Sequence, residues 1–74
     1  MEIRISVNDE FIEKLREDTG IEKATQLVSE ALSLLKYAVS ESKKGRYLIS
    51  ANEDGTNLKR IVMPSLEHSL QEVI

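Results

Sequence analysis

Residues 2–11, EIRISVNDEF, alternate polar and apolar side chains for six positions and then change spacing. Ile3, Ile5 and Val7 fall on one side of an extended chain and Glu2, Arg4 and Ser6 on the other, the period of two expected of a strand with one buried face. Asn8 is suited to cap a helix, Asp9 and Glu10 follow where the helix dipole favours carboxylates, and Gly20 is a C-terminal stop. The pattern predicts a strand over 2–7 and a first helix over about 9–18. That helix has only Phe11, Ile12 and Leu15 as apolar residues, a narrow stripe that covers a core but does not make one.

The next segment carries the strongest periodic signal. Ala24, Leu27, Val28, Ala31, Leu32, Leu35, Ala38 and Val39 recur at helical spacing, with no Gly or Pro before Gly45. Leu34 and Tyr37 lie off that stripe, so the apolar surface is wider than the first helix covers, and a second copy of the chain would cover the remainder. Beyond Lys43, Lys44 and Gly45, the runs RYLISA and LKRIVM flank NEDGTN, and Asp54-Gly55 between two β-prone runs predicts a hairpin. Pro64 ends the second run. The tail SLEHSLQEVI, with Leu66, Leu70 and Val73 as its apolar residues, is expected to be partly ordered at best. The organisation expected is a core over 1–45, a hairpin over 46–64 and a tail over 65–74.

Seventy-four residues make one small domain whose core supplies little stability alone. There is no cysteine for a disulfide or thiolate site, and the single His68, which is expected at the surface, assembles no zinc site. Oligomerisation is then the expected source of further core, and a homodimer is the simplest form. The chain shows no signal-peptide pattern and no apolar run long enough to cross a bilayer, so a cytoplasmic protein without membrane contact is expected. Net charge is −3 and uneven: residues 1–22 hold seven acidic and three basic side chains, whereas residues 43–60 hold five basic and two acidic. No Ser-His-Asp set, phosphate-cradling glycine loop or metal spacing is present, which predicts no catalytic residue, no metal ligand, no cofactor and no enzyme. The carboxylates Glu10, Glu13, Glu17 and Asp18 are expected on an exposed helix face.

The order strand, helix, helix, carried by EIRISV, NDEFIEKLREDTG and KATQLVSEALSLLKY, resembles the ribbon-helix-helix family of Arc-like and Met-repressor-like proteins over residues 2 to about 39. The resemblance implies an α+β homodimer in which the first strand pairs with its own copy as an antiparallel ribbon. The C-terminal hairpin is then an extension. It implies a dimer core of Ile3, Ile5, Val7, Leu27, Val28, Ala31, Leu32 and Leu35. It also implies double-stranded DNA as partner, with Glu2, Arg4 and Ser6 facing the major groove and Lys23, Ala24 and Thr25 at the phosphate grip. Among the base-facing residues, Arg4 has the side chain shaped for a bidentate pair with guanine.

Function follows in two forms. One is a small DNA-binding transcriptional regulator, including an antitoxin-like one that represses its own operon. The other is an interaction module that does not bind DNA, in which the dimer is a scaffold and the hairpin or tail takes a partner protein. The acidic N-terminal half favours the second, because DNA affinity comes mainly from cations that neutralise phosphates.

Overall fold

The chain, described by a computed structural model over residues 2–71, has the element order α1 (Asp9–Thr19), α2 (Ala24–Lys43), β1 (Ile49–Ser50), β2 (Lys59–Arg60) and α3 (Pro64–Gln71). It divides into two units, residues 1–32 and 33–74, with the boundary inside α2. Each is taken by itself.

In the first unit, α1 starts where the sequence stops it from starting earlier. The Asn8 side chain accepts a hydrogen bond from the Phe11 N–H at 3.2 Å, satisfying one of the donors a helix leaves open at its first turn. The end is equally local. Gly20 adopts φ 74°, and its N–H donates to the Arg16 carbonyl, a left-handed cap that costs a side-chain-bearing residue about 1 kcal/mol. Lys14–Asp18 and Arg16–Glu13 ion pairs lie along the exposed surface. Helix α2 begins after Lys23, whose carbonyl accepts from the Gln26 and Leu27 amides.

The expected first strand is absent, and with it the α+β ribbon-helix-helix fold. Residues 2–8 carry no helix or strand, and the first element of the chain is a helix. The physical reason is that alternation sets which side chains share a face but supplies no ladder partner. A strand needs its N–H and C=O groups paired along an edge. In this chain the two strands that pair, β1 and β2, pair with each other. Ile3, Ile5 and Val7 accordingly remain exposed.

The second unit has the buried side chains. Ala38 and Ser42, four residues apart on α2, and Leu66 and Ser69, three apart on α3, are buried. Ser42, Leu48, Ile61, Leu66 and Leu70, with the polar side chains of Arg60 and Glu67, line a partly open space of about 10 Å³, about the least that admits a water. Pro64 opens α3 at a position where its missing N–H costs nothing. Residues 65–71 of the tail, expected to be partly ordered at best, are therefore helical. Leu66 gives that helix its buried anchor. Val73 lies outside the described residues. The hairpin has a short ladder, Ile49 opposite Arg60 and Ser50 opposite Lys59. Its tip is held by the Gly55 N–H on the Asn52 carbonyl and by the Asp54 carboxylate, which accepts from both the N–H and the hydroxyl of Thr56.

Candidate interaction surfaces

No residue of the first unit is buried among those described; Ile12, Leu15, Arg16, Ile21 and Leu27 are half-buried and the rest exposed. Ile3 and Ile5 come together with Ala24, Thr25 and Val28 around an open cleft of about 370 Å³. Leu32 stands one turn beyond Val28 on the same helix face. Ile3 is 63% exposed, Ile5 61% and Leu32 54%. With Val28, they are apolar side chains left open to solvent.

The cleft regroups the residues singled out in the sequence. Of the dimer-core set, Ile3, Ile5 and Val28 line it; Val7, Ala31 and Leu32 are exposed, and Leu27 and Leu35 half-buried. Of the phosphate set, Ala24 and Thr25 line the cleft beside isoleucines, while Lys23 is exposed and outside its lining. Glu2, Arg4 and Ser6 are exposed in a segment without secondary structure, so the groove-reading ribbon that would have arrayed them is not present. Among the described residues no ion pair engages Arg4 or Lys23. The α1 carboxylates Glu13 and Asp18 are taken up in exposed ion pairs. No group of three or more His, Cys, Asp or Glu side chains among the described residues is placed to hold a metal ion.

The second unit brings together groups that sequence reasoning did not connect. Glu41 accepts from Arg46 at 3.0 Å and from the Tyr37 hydroxyl at 3.2 Å, with Lys44 Nζ at 3.5 Å. The Arg46 hydrogen bond is the main reason its carboxyl titrates below the usual glutamate range; partial desolvation opposes it, and Tyr37 and Lys44 add to it. Arg60 lies over the Tyr47 ring, 4.1 Å from its centroid, and bonds Glu67 of α3 at 2.6 Å. Lys43 lies in the last turn of α2, where the helix dipole favours a cation. The Arg60 contacts carry no sequence signal, because Tyr47 and Glu67 are 13 and 7 residues away.

The described helices include none long and apolar enough to cross a membrane. No protein-family model, curated protein or solved structure matches the chain.

Proposed function

We propose that this chain is a small self-associating interaction module whose N-terminal unit completes its core against a second copy. One observation carries the reading: the first unit folds two helical segments without burying a single described residue, while Ile3, Ile5, Val28 and Leu32 stay open to water. Apolar burial is the main favourable term in folding, so an uncovered face of this kind is a surface awaiting a partner. A second copy offers the same face in self-complementary form, and two-fold homodimers are the commonest closed assembly. Sedimentation of the wild type and of Leu32→Asp tests it. The wild type associates and the variant does not; an unchanged monomer in both overturns the reading.

A second reading, contact of the dimer with duplex DNA in the manner of a small regulator, is favoured by Arg4 and Lys23. Both are exposed cations without an ion pair among the described residues. The −4 charge of residues 1–22 opposes it. A low-salt gel-shift series separates the two: Arg4→Ala and Lys23→Ala each weaken binding if DNA is the ligand, and leave it untouched if it is not.

A further inference from the structure

The two outer edges of the hairpin differ. β2 carries Lys59 and Arg60 in succession and runs into Pro64, features by which edge strands are kept from pairing with other chains. β1 has neither. From Tyr47 to Asn52 the chain is uncharged and free of proline. The Ile61 N–H donates to the Leu48 carbonyl at 2.8 Å. By the alternation of an antiparallel ladder, the next pair, Ile49 and Arg60, turns its backbone groups outward. Side chains alternate as well, placing Tyr47, Ile49, Leu58 and Val62 on the side of the hairpin that Arg60 occupies, and each of the four is more than half exposed.

Charge decides what fits there. Residues 42–66 hold five cations and two carboxylates, Glu53 and Asp54, both at the hairpin tip, where Asp54 is bonded to Thr56. Glu41 meets Lys44 and Arg46, and Glu67 meets Arg60, but among the described residues no ion pair engages Lys43 or Lys59. The hairpin of a second copy would set the same cations against these, whereas an acidic segment is attracted.

We infer that the outer edge of β1 takes an extended segment of a partner protein as an added strand, apolar at alternate positions and acidic at those between. Its apolar side chains cover Tyr47 and Ile49, its backbone pairs with the outward groups of Ile49, and its carboxylates lie on the face of Lys59. This names a partner for the interaction-module reading and rests on it. The two fail separately, because self-association is read by sedimentation and the edge by titration.

The test is an amide chemical-shift titration of the full chain with an octapeptide of alternating valine and glutamate. A valine–lysine octapeptide and the valine–glutamate peptide with a central proline serve as controls. The glutamate peptide is expected to shift residues 47–50 saturably with a dissociation constant at or below about 1 mM, and Ile49→Glu or Lys59→Glu to weaken it about tenfold. Both side chains are exposed, so the variants keep the fold, and helix content by circular dichroism verifies this. Equal binding of the lysine or proline peptide, shifts confined to other residues, or absence of saturation overturns the inference. So do shifts at 47–50 that follow chain concentration without peptide, since a second copy would then occupy the edge.

Discussion

The Arg60 guanidinium stands 4.1 Å from the centre of the Tyr47 ring and, through its other contact, 2.6 Å from the Glu67 carboxylate. One side chain thereby ties the start of the hairpin's first run to α3. Both ion-pair partners are 41% exposed, so solvent screens the pair, and the stacking and the ion pair each contribute about 1 kcal/mol or less.

Arg60→Ala should therefore lower the stability of the second unit by about 1 kcal/mol, and Glu67→Gln by less, because the ring contact survives it. A double-mutant cycle on Arg60 and Glu67, followed by denaturant melts, checks this. A coupling of zero would show that the ion pair contributes nothing.

Leu66 is 4% exposed and is the largest buried side chain described. Leu66→Ala should cost about 2–5 kcal/mol, a large part of what so small a unit possesses. Leu58→Ala, at a site 65% exposed, should change stability by no more than about 0.5 kcal/mol. Amide exchange over residues 47–70 reads both, with loss of protection expected in the first variant alone.

The Glu41 carboxyl titrates below its ordinary value of 4.5, so its bonds to Arg46, Tyr37 and Lys44 stabilise the folded form when it is ionised. Their contribution is fully present above about 4.5 and disappears as pH falls through the lower folded value. Glu41→Gln should lower the melting temperature at neutral pH and flatten its decline in acid. Parallel acid titrations of the two proteins would argue against Glu41 as the source. Asp54, held low by the Thr56 hydroxyl and then by the Thr56 N–H, has the same sign.

Gly20 at φ 74° has no atom within 4 Å of where a Cβ would stand, so Gly20→Ala isolates the backbone cost of the left-handed cap. A loss of about 1 kcal/mol is expected, and Gly20→Asn should recover part of it. Thermal melts of the pair measure this; a stability equal to wild type in the alanine variant would place the strain elsewhere.

Local chemistry was legible and non-local pairing was not. Asn8 and Gly20 mark the ends of α1 because capping depends on residues three or four apart. The apolar stripe from Ala24 to Val39 marks α2 because its spacing is long and unbroken. Ile3, Ile5 and Val7 suggested a strand from alternation alone, yet whether a strand forms depends on a partner that alternation does not specify. In α3, Leu66 and Leu70 are one helical repeat in an eight-residue segment, too short for periodicity to register; burial of Leu66 is what gives it its place. At the candidate surface, the apolar residues of the N-terminus were legible by type. Their meeting with Ala24, Thr25 and Val28 in one cleft was not, since the two groups are about twenty residues apart.

Sedimentation equilibrium across the micromolar range addresses the second copy directly. The wild type should show a species of twice the 8.4 kDa chain mass, and Leu32→Asp should shift it to the single-chain mass with a loss of helix content. Leu32 is 54% exposed in one chain, so a lone chain would tolerate the substitution within about 0.5 kcal/mol. A wild type that stays at 8.4 kDa throughout, with Leu32→Asp equally stable, would contradict self-association through this face.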